Sequence, residues 1–136
     1  MRDPLTFLLV EDEPLILLDL EFAVEDCGGQ FLSASSSAQA LDFIACYSAE
    51  IAVAVLDVSL AHGETCEQVA AELTRLGIPF ILHSGDLDRR NETIQSLGAR
   101  LVAKPARSEH VIAEAVAEME RMARARAAEV TEDVRP

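Results

Sequence analysis

The chain has no tryptophan, one tyrosine and five phenylalanines. A core built from it must be aliphatic and alanine-rich. Bases are scarce too: 11 Lys and Arg stand against 24 Asp and Glu, a formal charge of −13. Nonspecific nucleic-acid binding needs Lys and Arg to displace counterions, so this balance argues against it. It argues equally against an anionic membrane surface. The three cysteines, Cys27, Cys46 and Cys66, are odd in number and widely spaced. The lack of CxxC and of any Cys/His cluster argues against a zinc site. They read as buried or half-buried free thiols of a reducing cytosol. No apolar run reaches membrane-spanning length, and the apolar stretch after Met1, Arg2, Asp3 and Pro4 is too short for a signal peptide. The expected location is the cytoplasm, away from membranes. Neither a P-loop nor GxGxxG occurs, which leaves nucleotide binding without support.

Half of the 136 residues are hydrophobic (50%), enough for one domain, assigned to residues 1–128. Residues 129–136 read as a loose tail. Along the chain, short apolar runs alternate with helical patterns. Leu5 to Val10 reads as a strand. Pro14 opens a helix to about Cys27, with Ile16, Leu20, Ala23 and Cys27 on one face, widened by Leu15, Leu18 and Phe22. Gly28 and Gly29 end it. Gln30 to Ala34 is a second strand. Ser36 and Gln39 form a capping box for a helix to about Tyr47. Ile51 to Asp57 is a continuous apolar strand ending in a carboxylate. Thr65 and Gln68 look like another capping box, for a helix that closes at Gly77. Ile78 to His83 is the fourth strand, followed by a polar helix over Asp86 to Leu97. Leu101 to Ala103 is the fifth strand. A last helix runs from about Ser108 towards Ala128, and its length suggests a homodimer contact through it. Strand–helix alternation of this kind implies a parallel sheet covered on both faces by helices with right-handed crossovers.

In such sheets ligands bind outside the carboxyl ends of the strands. The first strand delivers Glu11 and Asp12 there, the third Asp57, the fourth Ser84 and the fifth Lys104. Two like charges about 4 Å apart cost about 4 kcal/mol at an effective dielectric near 20. The acids must therefore protonate or hold a cation. An oxygen-only set without His or Cys favours Mg²⁺. With a metal and Lys104 beside it, Asp57 can stay ionised and attack a phosphoryl group. Ser84 is placed to donate a hydrogen bond to that group.

Glu11, Asp12, Asp57, Ser84 and Lys104-Pro105, in this order and spacing, resemble the response-regulator receiver domain over about residues 5–122. The resemblance implies a flavodoxin-like (βα)5 three-layer sandwich with strand order 2-1-3-4-5. It implies Mg²⁺ held by Glu11, Asp12, Asp57 and the backbone carbonyl of Ser59. It implies Asp57 as phosphoacceptor from a sensor histidine kinase or a histidine phosphotransfer protein, with Ser84 as the switch hydroxyl and Lys104 as phosphate partner. Two positions depart from the pattern. Leu101 stands where the family usually has Tyr or Phe, and Ala61 where it often has Pro; both bear on output rather than chemistry. The expected protein is a signalling module acting through protein contact, not an enzyme on an external substrate. The alternative is a degenerate receiver that binds partners without phosphorylation. An aspartyl phosphatase is disfavoured, because Asp57-Val58-Ser59 lacks its second acid. His62, His83 and His110 carry no assigned role. Met119 and Met122 read as packing residues.

Overall fold

A computed structural model describes residues 3–60, 63–85 and 97–133, with side chains to Glu129. Among the described residues, five strands and four helices follow in order: β1 (Thr6–Val10), α1 (Pro14–Asp26), β2 (Gln30–Ala34), α2 (Ser37–Tyr47), β3 (Ile51–Asp57), α3 (Glu67–Leu76), β4 (Phe80–Ser84), β5 (Leu101–Ala103) and α4 (Ser108–Asp133). The strands form one parallel sheet in the order β2-β1-β3-β4-β5, the flavodoxin-like arrangement expected. The helix expected over Asp86 to Leu97 falls almost wholly outside the described residues.

Alternation along each strand divides the core in two. Leu8, Val10, Ala54, Leu56 and Leu82 face α2 and α3, where Ala40, Ile44, Val69, Ala70 and Leu73 meet them. Phe7, Leu9, Val53, Val55, Ile81 and Val102 face α1 and α4, against Leu20, Val24, Val111, Ile112 and Ala115. Each fully buried aliphatic side chain contributes roughly 1.5–3 kcal/mol. Because β3 has helices on both faces, nearly all of its residues are apolar and buried up to Asp57.

Glycine matters at two helix ends. Gly77 (φ 73°) takes the left-handed conformation that stops α3, and the Ile78 N–H donates back to the Leu73 carbonyl. Gly29 sits where a Cβ would come within 3.0 Å of both Phe7 and Val24, so α1 can turn back tightly onto β1.

Several expectations are corrected. Leu15, Leu18 and Phe22 do not widen the buried face of α1; they are 78%, 44% and 55% exposed. Leu20, Ala23 and Val24, with Ile16 and Leu17, already fill the arc against the sheet, and the other three project from the opposite side. Cys27 and Cys46 are exposed and only Cys66 is buried. Ser36 does cap α2, its Oγ accepting from the Gln39 N–H at 3.2 Å, but Gln39 reaches back to the Ser35 N–H instead. The Thr65–Gln68 box is replaced: Cys66 is the N-cap of α3, and Thr65 Oγ1 accepts from Glu67. β1 begins at Thr6 and β4 at Phe80, after Pro79, which has no N–H for the ladder. The last helix continues through Asp133, past the expected start of the tail, because Ala127 to Asp133 contains no helix breaker. Arg126, shortly before that extension, donates to the Gly77 carbonyl.

Candidate functional site

The sheet order places β1 and β3 side by side, so their carboxyl ends share one edge. The chain stays in ladder register one residue beyond β1, with the Glu11 N–H donating to the Ala34 carbonyl at 3.0 Å. That register carries the Glu11 side chain to the side of the sheet taken by Leu9 and, on β3, by Val55 and Asp57. Glu11 is 1% exposed and Asp57 4%. Asp12 is half-buried, and one carboxylate oxygen from each of Glu11, Asp12 and Asp57 lies within 4.8 Å of the others. Lys104 arrives from the end of β5, held by its N–H to the Ser84 carbonyl at 2.7 Å. Its Nζ stands 3.0 Å from Glu11 Oε1 and 3.5 Å from Asp57 Oδ2. The Lys104–Pro105 peptide is cis.

This geometry sets the protonation of the cluster. Burial, then the hydrogen bond to Glu11 and the Glu11 charge, push Asp57 up to about 8. The Lys104 charge opposes this without cancelling it. For Lys104 burial works against the charged form. The Glu11 hydrogen bond and the Asp57 and Glu11 charges outweigh it and hold the ammonium above its ordinary range. One ammonium does not neutralise three carboxylates. Among the described residues, Glu11 Oε1 is buried with no hydrogen-bond partner beyond its ion pair with Lys104. An oxygen-only donor set with excess negative charge and an under-satisfied buried oxygen fits a hard divalent cation.

The remaining expected residues are placed less closely. Ser84 is fully buried at the end of β4, its Oγ donating to the Gly85 carbonyl at 3.4 Å. Ser59 is exposed, two residues past Asp57, and bridges Thr65 in antiparallel fashion. Leu101 is half-buried and packs on the α2–α3 side of the core.

Two features carry more than the sequence assigned to them. His83 pairs in register with Asp57, is 3% exposed, and among the described residues has no hydrogen-bond partner at either ring nitrogen. Burial first, then the Lys104 charge, lowers its pKa to about 4, so the ring is neutral. An imidazole inside an otherwise apolar strand was the signal for it. The second is that Lys104 is the only lysine in the chain, the other bases being arginines. An arginine-dominated composition that keeps one lysine marks that position as needing a compact point charge.

A doubly wound parallel sheet with clustered acids at its carboxyl edge defines the class of molecule. Comparison with solved structures narrows it. The receiver protein of Sinorhizobium medicae WSM419 is 25% identical, covering 88% of this chain and 98% of its own, with a TM-score of 0.76. SdrG from Sphingomonas melonis Fr1 is 30% identical over 88% of this chain and 98% of its own, with a TM-score of 0.72. The receiver domain of Erythrobacter litoralis PhyR is 25% identical, covering 83% and 90%, at 0.68. No family model and no curated protein sequence matches. The chain belongs to the response-regulator receiver family, whose members are signalling modules rather than turnover enzymes. Among the described residues, no helix is long and apolar enough to cross a membrane.

Proposed function

We propose that this receiver accepts a phosphoryl group on Asp57 from a sensor histidine kinase or a histidine phosphotransfer protein and signals by protein contact in the cytoplasm. Glu11, Asp12, Asp57 and the Ser59 carbonyl would hold Mg²⁺. Bound there, the metal would supply positive charge against the oxygens of the transferring phosphoryl group. The chain's own residues do the rest. An Asp57 carboxylate oxygen attacks phosphorus, the bond from phosphorus to the donor nitrogen breaks, and an acyl phosphate forms. Lys104 neutralises charge on a phosphoryl oxygen, and Ser84 donates a hydrogen bond to another. The single observation that carries this reading is the gathering of three carboxylate oxygens within 4.8 Å, with an ammonium 3.5 Å from Asp57. A dead site has no reason to retain such repulsion.

The alternative, a phosphorylation-independent binding module, draws its support from Leu101, whose side chain has neither ring nor hydroxyl to report the state of the site. One experiment separates them. Incubation with Mg²⁺ and acetyl phosphate should add one phosphoryl group by intact mass, and none to Asp57→Asn. No addition to the wild type under any small donor would leave the binding-module reading standing.

A further inference from the structure

Between β3 and α3, residues 58–60 and 64–66 pair as the two arms of a narrow hairpin. The Cys66 N–H donates to the Val58 carbonyl at 3.2 Å and the Leu60 N–H to the Glu64 carbonyl at 2.9 Å, with Ser59 bridged to Thr65 between them. Buried Val58, Leu60 and Cys66 root it in the core. Its outer arm is fastened to a different element. The Glu64 carboxylate accepts from the Ser37 N–H at the start of α2, 3.2 Å, and Ser37 Oγ donates to the Thr65 carbonyl, also 3.2 Å. Ser37 is only 7% exposed, so this hydroxyl is committed to the contact. A carboxylate at a helix N-terminus meets both an orphan N–H and the positive end of the helix dipole.

We infer that Glu64 is a positioning residue: with Ser37 it clasps the β3–α3 hairpin to the N-terminus of α2 and thereby sets where the Ser59 backbone stands over the acidic cluster. The inference rests on the reading of Asp57 and its neighbours as a Mg²⁺ and phosphoacceptor site. Glu64 itself touches neither metal nor phosphate. Its effect passes from Ser37 to Glu64 and Thr65, across the bridge to Ser59, and so to a backbone two residues from Asp57. The clasp also gives α2 a direct mechanical link to the site, independent of β5 and Leu101.

The test is Mg²⁺ affinity, followed through amide chemical shifts, with amide hydrogen exchange of the metal-free protein alongside. Glu64→Ala should weaken Mg²⁺ about three- to five-fold, the worth of one modest hydrogen bond, and speed exchange at Ser37 and Leu60 before any metal is added. Glu64→Gln keeps an acceptor oxygen and should stay near wild type in both. Asp42→Asn removes an exposed acid of α2 outside the clasp and gauges the loss of charge alone. If Glu64→Ala weakens Mg²⁺ no more than Asp42→Asn, or if Glu64→Gln is as impaired as Glu64→Ala, the clasp has no positioning role. A wild-type protein that binds no Mg²⁺ would instead overturn the underlying reading of Asp57, and this inference with it.

Discussion

Lys104 stands closer to Glu11 than to Asp57, 3.0 Å against 3.5 Å. In the metal-free protein the ammonium is therefore tied mainly to the more deeply buried acid, and the Asp57 oxygen is the freer one. Lys104→Met should remove the countercharge that the described residues give the cluster. Breaking a buried ion pair on one side costs several kcal/mol, but the Lys104 side chain is 20% exposed and partly screened. A loss of about 1–3 kcal/mol in urea unfolding at pH 7 without metal is expected. Acetyl phosphate should label the variant more slowly. Unchanged stability would mean that Glu11 and Asp57 do not depend on this lysine.

Asp57 gives the protein an unusual pH dependence. Its folded pKa of about 8 lies above the ordinary 3.8. A raised folded value means that the native state holds this proton more tightly than the unfolded chain. The stability it contributes is thus fully present below about 4 and is lost as pH rises towards and through about 8. Without metal, wild type should lose about 2–3 kcal/mol relative to Asp57→Asn between pH 6 and pH 9, at about 1.4 kcal/mol per unit. Parallel denaturant curves for the two proteins across that range would show that Asp57 ionises normally.

Metal binding must displace the same proton. A Mg²⁺ ion needs the ionised carboxylate, so at pH 7 binding should release close to one proton, and affinity should rise with pH until about 8 and then level. Calorimetric titration in two buffers of different ionisation heat measures that release directly. In Asp57→Asn the release should vanish along with most of the affinity. A wild-type affinity that does not vary with pH would contradict the raised value.

Much of this was legible in the residues and some was not, for identifiable reasons. Ile51 to Asp57 announced a doubly covered strand, because only a strand with helices on both faces needs an unbroken apolar run. The alternation of strand and helix then required Glu11, Asp57 and Lys104 to meet at one edge. The burial of α1 was misread because Leu15, Leu18 and Phe22 satisfy helical periodicity on either side; apolar spacing reports a face, not which neighbour covers it. The Glu64–Ser37 contact joins residues 27 apart, across α2 and β3, and leaves no local pattern. His83 was visible as an imidazole in an apolar strand, but a strand pattern does not say which polar atoms find partners.

His83 makes an acid-labile point. Its two ring nitrogens are buried without partners among the described residues, and a buried unsatisfied group costs about 1–3 kcal/mol. Its pKa is lowered from 6.5 to about 4 by burial and by Lys104, against the pull of Glu11. A histidine with a depressed folded value binds its proton more weakly in the native state, so stability is lost as pH falls from about 6.5 towards 4. His83→Leu should be more stable than wild type by about 1 kcal/mol or more at pH 7, with a difference that widens at pH 5. Urea curves at the two pH values test this. A constant difference would mean that the ring gains a partner or stays neutral in both states.

The exposed stripe on α1 separates chemistry from recognition. Leu15, Leu18 and Phe22 recur at three- and four-residue spacing on α1, whose first turn follows the segment that carries Glu11 and Asp12. A contiguous apolar strip beside a reactive group suits a protein that must dock to reach it. Leu15→Ser combined with Phe22→Ser removes apolar surface that the fold does not use, so stability should change by no more than about 0.5 kcal/mol. Labelling by acetyl phosphate should be unchanged, because a small donor needs no docking surface. Transfer from a phosphorylated histidine-bearing protein should slow at least about ten-fold, the effect of losing about 1.4 kcal/mol of docking energy. Equal slowing with both donors would show that the stripe shapes the site itself, and a change in sedimentation mass on substitution would assign it to a second copy of this chain.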